Sequence, residues 1–318
     1  MNNFNILNLS LYITKKNVHN NSINFLIKLN DGRLLSSSDN ENIIKLYNLI
    51  SFDEEIIIKE EENIIYINQI SNKILLVCME YKLKLYLINN NNYNLIQKIN
   101  DSNGFNKIIE LKNKNLLSSS KSGYLNIWQK NEKNLYEKIY SIIEDKIKIR
   151  YSEKYLYSNN ANISDILELK KNIIISENYL NFINIWNIEN KQKIISMNIQ
   201  HLCGGWTKER FLLLNDKYFI YYNRTNLYLY DINTYKIIFH LIFDIQCVYI
   251  YNLNNNNLLI GNENGFLNHF KLNGEKIELI NFIQYAHFID ISAIVKLSDN
   301  LIASGDNYGN IKIWKYQE

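Results

Sequence analysis

The side chains able to do acid–base, metal or thiol chemistry are few and scattered. There are five histidines (His19, His201, His240, His269, His287) and three cysteines (Cys78, Cys203, Cys247). A metal site needs such ligands to converge at suitable spacing. Only His201-Leu202-Cys203 comes near, because both side chains can face one way in an extended loop; its plainer reading is one loop histidine and one free thiol. No Cys-x-x-Cys pair exists, and an odd count argues against a disulfide framework, so a reducing compartment fits best. No G-x-S-x-G, P-loop, H-E-x-x-H or G-x-G-x-x-G motif is present. The acidic stretches Asp53-Glu54-Glu55 and Glu60-Glu61-Glu62 read as solvated loops. The expectation is a protein with no catalytic residues, no metal and no cofactor, and so not an enzyme.

Recognition chemistry is more visible than reaction chemistry. The loop from His201 to Arg210 holds the only Gly-Gly pair, a tryptophan outside the strand register (Trp206), Lys208, and Arg210, one of only four arginines. Trp and Arg are enriched among the residues that dominate binding energy at interfaces. Arg150 and Tyr151 form a second candidate pair, in a segment that interrupts an otherwise regular spacing. The balance of 35 basic and 32 acidic residues gives a net charge of only +3, with no dense basic run, which argues against specific nucleic-acid binding. The most apolar stretch, Tyr235 to Tyr251, is broken by Lys236, His240 and Asp244, too short and polar to insert in a membrane. The first residues carry no signal-peptide pattern. These features place the chain in the cytoplasm, with the nucleus also compatible, and point to protein partners.

The elements that would carry these residues are strands. A polar/apolar alternation ending in an aromatic recurs at Tyr47, Tyr86, Trp128, Trp186, Tyr230, Phe270 and Trp314, with spacings of 39, 42, 58, 44, 40 and 44 residues. Five of the six approach the ~40–45-residue period of four-stranded repeat units. Before the aromatics lie pairs of apolar runs joined by short polar links, such as Leu29-Asn30-Asp31-Gly32-Arg33-Leu34, a hairpin signal. A further strand follows the aromatic, as at Glu55 to Lys59, Asn94 to Ile99 and Tyr235 to Phe243. Helical spacing is not sustained anywhere, so the reading is all-β.

The pattern resembles the WD-repeat family. Ala303-Ser304-Gly305 and Ile311-Lys312-Ile313-Trp314 look like the family's Ser-Gly-Ser and strand-Trp elements, and the composition, biased to Asn, Ile, Lys and Tyr, marks a divergent member. His287 lies 27 residues before Trp314, His19 28 before Tyr47 and His201 29 before Tyr230, places similar to the family's Gly-His site, although none follows a glycine. Only three of the seven aromatics are Trp, and the Asp that usually follows appears only as Asp231, after a Tyr. The Asp expected six residues before the aromatic is replaced by Glu41, Ser122, Asn264 and Tyr308. The family's buried Asp-His-Ser-Trp network is therefore expected to be incomplete in every blade.

The resemblance implies a single seven-bladed β-propeller over residues 1–318, of four-stranded antiparallel blades. The chain ends four residues after Trp314, so the last unit lacks a fourth strand. Asn5 to Ile13 alternates without belonging to the first unit and is predicted to supply it, closing the ring. The spacing of 58 leaves about 16 surplus residues over a ~42-residue repeat, predicted as an extra hairpin near Glu144 to Ala161. The implied function is a non-catalytic protein-interaction scaffold, a monomeric propeller working within a complex and using its loops and central face. The alternatives are a structural subunit of a coat, pore, ligase or RNA-processing assembly, and an enzyme or ligand sensor using the central channel. Partner-binding candidates are Trp206, Arg210, Lys208, Arg150 and Tyr151.

Overall fold

The computed structural model describes residues 8–317 except 39, 72, 90–91, 145–147, 152–153, 158–161, 180–181, 200–209 and 255. The described residues form strands and turns without a helix, in seven four-stranded antiparallel sheets and one two-stranded hairpin. Each sheet is named here by the aromatic of its third strand. Two compact units are present. The first, Met1–Asn63 with Gly204–Glu318, holds the Tyr47, Tyr230, Phe270 and Trp314 sheets. The second, Ile64–Cys203, holds the Tyr86, Trp128 and Trp186 sheets. It also holds the hairpin, Lys148–Tyr151 paired with Lys154–Tyr157, which sits between the last strand of the Trp128 sheet and the first of the Trp186 sheet.

Alternation sets the strands, and burial follows their place in the sheet. Second strands are buried on both faces: Leu34–Ser38, Ile74–Cys78, Leu116–Ser119 and Tyr218–Tyr222 are buried at every position. Fourth strands such as Asn92–Asn100 and Gln192–Asn198 are largely exposed or alternate. Apolar contacts join neighbouring sheets. Leu214, Ile220, Leu227 and Leu229 pack with Ile250, Leu258, Ile260 and Phe270, and Leu117, Leu125 and Ile127 pack with Ile163, Ile174 and Trp186. The chain has only ten glycines, and asparagine takes several of the left-handed turn positions: Asn17, Asn40, Asn42, Asn134 and Asn172 have φ of 51, 59, 56, 58 and 66°. Asn tolerates this conformation because its short polar side chain bonds the local backbone.

Every sheet carries one irregularity at the same place. The fourth strand gains an extra residue opposite the step onto the aromatic: Glu55, Ile96, Ile139, Ile194, Ile238 and Ile280 are each skipped in the pairing. Such bulges bend a strand and raise its twist. The seventh case decides the topology. Asn8–Lys15 pairs antiparallel with Ile311–Gln317, Leu11 opposite Trp314 and Ile13 opposite Ile313, so Tyr12 is the skipped residue. The N-terminal strand thus reproduces the fourth-strand geometry of the other six and completes the last sheet, as predicted. It extends two residues beyond the expected Ile13, because Thr14 and Lys15 pair with Lys312 and Ile311; residues 5–7 lie outside the described residues.

The Trp314 sheet also packs on the Tyr47 sheet. Ile23, Leu26 and Leu34 share a core with Ala293, Val295, Ala303, Ile311 and Ile313, with Ile13 packed against it. Deleting residues 1–15 removes both a strand pairing and part of that core. The expected outcome is loss of the cooperative far-UV circular-dichroism melt or a large fall in its midpoint; a melt like that of the full chain overturns this account of the seam.

Candidate functional site

Neighbouring sheets are tied at one end by a repeated backbone bond. The turn before the third strand of one sheet presents a carbonyl to the residue that leads into the next. His287 N–H donates to Gly265 C=O (3.0 Å), His19 N–H to Gly309 C=O (3.2 Å), Glu144 N–H to Gly123 C=O (2.9 Å), Phe105 N–H to Glu80 C=O (2.8 Å) and Phe243 N–H to Thr225 C=O (2.8 Å). At Gly265 and Gly309 the approach is so close that a Cβ would stand 2.1 and 1.9 Å from the carbonyl oxygens of His287 and His19, with φ of +73 and +74°. Only glycine fits there.

The side chain of the tied residue then points into its own sheet. In the Trp314 sheet, Trp314 Nε1 lies 2.8 Å from Ser304 Oγ, which lies 2.7 Å from His287 Nε2, whose Nδ1 lies 2.8 Å from Asp306 Oδ2. Indole N–H only donates, so Ser304 accepts from Trp314 and gives its own proton to His287 Nε2. Nδ1–H then donates to Asp306. This corrects the expectation of an incomplete network: here it is complete. The acid is Asp306, eight residues before the tryptophan, because it is the first residue of the turn; Tyr308, two further on, is exposed. The Tyr47 sheet repeats the serine–histidine–acid links with a different acid. His19 Nε2 lies 2.7 Å from Ser36 Oγ and its Nδ1 2.5 Å from Glu41 Oε2.

Ser304, His287 and Asp306 have the connectivity of a hydrolytic triad. The serine and histidine are wholly buried, Asp306 is 3% exposed, and Trp314 occupies the serine oxygen. A nucleophile must reach substrate, so this set is a structural clamp. Burial lowers the His287 pKa, outweighing the Asp306 bond that raises it. Burial works against ionised Asp306, yet the His287 and Asn310 bonds hold its carboxyl below the usual range. In the Tyr47 sheet, burial again lowers His19 despite Glu41.

Other sheets fill the tied position differently. In the Trp186 sheet Glu144 accepts from Ser176 Oγ (3.1 Å), Asn178 Nδ2 (2.7 Å) and Asn184 Nδ2 (2.7 Å), while Trp186 Nε1 donates to Ser176 (2.9 Å). Burial raises its pKa against those three donors. Glu144 is thus the fixed root from which the inserted hairpin departs. In the Trp128 sheet Phe105 stands 6.0 Å from the Trp128 ring, and only Trp128 Nε1 bonds Ser118 (2.9 Å). The Tyr86, Tyr230 and Phe270 sheets have Val77, Tyr221 and Ile260 at the serine register.

The same end of the first unit exposes aromatic surface. The 285–290 loop lies between two turns: Gly265 meets its backbone on one side, and Asn307 N–H bonds Asp290 C=O (3.2 Å) on the other. It carries Tyr285, 70% exposed, and Phe288, 91% exposed; the flanking turns carry Phe266, edge-on to Tyr285 at 5.6 Å, and Tyr308, 61% exposed. These four are residues that sequence reasoning missed. The available signal was an aromatic directly after the tied histidine and another inside the turn.

Of the sequence-predicted residues, Trp206 and Lys208 lie outside the described residues, as do His201 and Cys203. Arg150 and Tyr151 fall on the first strand of the inserted hairpin, where only the backbone is described. Arg210 is half-buried, and its carbonyl accepts from Tyr222 N–H (2.9 Å). The structure therefore does not bring these five together as one described site. An open recess of about 490 Å³ lies elsewhere, with Asp216, Lys217, Asn256 and Glu275 among its lining. Among the described residues, no three His, Cys, Asp or Glu side chains stand close enough to hold a metal, and no helix is long and apolar enough to cross a membrane.

No family model matches the chain, and no curated protein matches it. Among solved structures, the WD40 β-propeller domain of Doa1 matches across 98% of this chain and 97% of that chain, with a TM-score of 0.73 and 14% identity. The fold is that of a WD40 β-propeller. Its blades are the seven four-stranded sheets, and at this identity the likeness carries the fold alone.

Two outcomes follow for the propeller's clamps. Ser304→Ala strands both Trp314 Nε1 and His287 Nε2, whereas Ser118→Ala strands only Trp128 Nε1. Each buried group left without a partner costs about 1–3 kcal/mol, so urea unfolding should show the larger loss for Ser304→Ala; equal losses remove the clamp from the argument. The second concerns pH. His19 and His287 are lowered, and His269, buried beside Asn257, is lowered to about 4, chiefly by burial with a contribution from Lys271. The folded chain thus binds these protons less readily than the unfolded chain. Their stabilisation is full above the ordinary histidine pKa of about 6.5 and is lost as pH falls from there toward each folded value. Thermal midpoints should drop between pH 7 and 4.5, and less steeply in His269→Asn; a flat profile overturns the assignment.

Proposed function

We propose that this propeller is a non-catalytic protein-interaction scaffold that holds its partner on the loops at the end where the sheets are tied. The observation that carries this reading is the exposed aromatic set of the first unit. Phe288 leaves almost its whole side chain in water, although the preceding residue, His287, is fixed at its backbone, imidazole and ring face. A large aromatic presented on rigid backbone buries much area on binding and loses little conformational entropy. Exposed apolar clusters rimmed by polar groups mark interaction sites. In the described Ser-His-acid chains the serine and the histidine are buried, which supports binding over catalysis.

Trp206, Lys208 and Arg210 in the 201–210 segment, and Arg150 and Tyr151 on the inserted hairpin, belong to the same proposal as further partner contacts, and the proposed setting is the cytoplasm. The test uses tagged full-length chain as bait. A partner recovered with the wild type should be lost with Phe288→Ala/Tyr308→Ala at an unchanged melting midpoint. Undiminished recovery of every partner on that variant removes the aromatic set from the binding surface.

A further inference from the structure

Among the exposed aromatics stands one cation whose electrostatic needs the fold leaves open. Lys312 lies on the third strand of the Trp314 sheet, half-buried. Its Nζ donates to Ala286 C=O (2.5 Å) and lies 5.8 Å from the ring centres of both Phe288 and Trp314. An ammonium has three donors, and among the described residues this bond to Ala286 is its one hydrogen bond. No described carboxylate forms an ion pair with it. Asp306, which attracts it from a distance, spends its oxygens on His287, Tyr308, Asn310 and the turn they close. Burial foremost lowers the Lys312 pKa, and Lys16 lowers it further. The fold therefore covers this ammonium in part, and the described carboxylate that attracts it, Asp306, forms no ion pair with it. A group partly desolvated and unpaired in this way is costly unless something else pairs it.

The surroundings narrow what that something is. Phe288, at the lysine's edge, is an apolar contact 91% exposed, and Tyr308 on the adjoining turn is another. Glu263 and Asp290, both half-buried, lie on the flanking turn and loop, and they disfavour a run of acids. One carboxylate beside one apolar side chain satisfies all of these constraints. We infer that Lys312 anchors a single carboxylate of a partner peptide, whose adjacent aliphatic or aromatic side chain lies on Phe288 and Tyr308. This rests on the scaffold reading above and names the chemistry of the partner.

The test pans a phage-displayed library of random dodecapeptides on the full-length chain and measures the enriched peptides as synthetic ligands. The expected result is a shared Asp or Glu next to an apolar residue. Binding should weaken about tenfold in Lys312→Met, the loss of one charge-assisted bond, and lose most of its salt dependence. Lys312→Arg should keep it, and Phe288→Ala should abolish it, with melting midpoints unchanged. Peptides that need Phe288 but bind Lys312→Met equally overturn the carboxylate anchor while the scaffold reading stands. If no peptide is enriched, or none depends on Phe288, both fall. Displacement of the peptides by oligouridylate assigns the surface to single-stranded nucleic acid, and a concentration-dependent dimer lost in Phe288→Ala assigns it to a second copy; either result overturns the proposal.

Discussion

The backbone bond from a turn carbonyl to the residue entering the next sheet is the constraint from which the rest follows. It fixes His287 against Gly265 and His19 against Gly309. Once the backbone is held there, the imidazole can only fall inward, toward the serine of its own second strand. The bond also dictates the glycines, since a methyl group at either turn would overlap a carbonyl oxygen. Where the incoming residue is Phe105 or Phe243, the tie persists but the side chain offers only ring contact, to Trp128 and Phe270 respectively. The tie recurs at five described junctions; the polar clamp is built on it where the sequence allows.

That separation explains why one fold tolerates so much variation. A clamp needs a serine, an aromatic with a donor, and an acid, and the acid can arrive by more than one route. Asp306 is the first residue of its turn, whereas Glu41 comes from late in its own turn with a longer side chain. Glu144 dispenses with histidine and reaches Ser176 directly. In the sheets with Val77 or Ile260 at the serine register, apolar packing replaces hydrogen bonding, and both residues are buried. A buried polar set is worth little over a well-packed apolar one unless every member is satisfied, so either solution serves. The triad-like geometry at Ser304 has no access to solvent, and resemblance of connectivity is not resemblance of function.

Much of the architecture was legible because aromatics and alternation repeat at a fixed period and because burial demands that alternation. The seam was legible for the same reason: Asn5 to Ile13 had the strand pattern and no other place to go. Asp306 was misplaced because counting six back from Trp314 lands on Tyr308, whereas the acid that meets His287 is the first residue of the turn. A better signal was present in Ser304-x-Asp306 and Ser176-x-Asn178, where the residue two beyond the clamp serine caps the turn by accepting from the backbone N–H of Tyr308 and Phe182. The exposed aromatics were harder to see. Phe288 looks like any strand-forming residue until the tie beside it is known, and only three-dimensional placement shows that no described carboxylate pairs with Lys312. The loop around Trp206 stood out by composition, and composition says nothing of position.

The pairing of Asn8–Lys15 with Ile311–Gln317 has a consequence for biogenesis. Asn8–Lys15 is synthesised long before Ile311–Gln317 and must wait for it. Loop closure over that span raises the contact order and slows the final step. During synthesis, Ile23, Leu26 and Leu34 have only near neighbours such as Val18, Tyr47 and Phe52 to pack on until Ala293, Val295, Ala303, Ile311 and Ile313 are translated. A nascent chain with apolar surface and an unpaired strand invites misassembly. The protein is therefore most vulnerable while it is being made, and a cell that depends on it has reason to shield Asn8–Lys15 until Ile311–Gln317 has emerged.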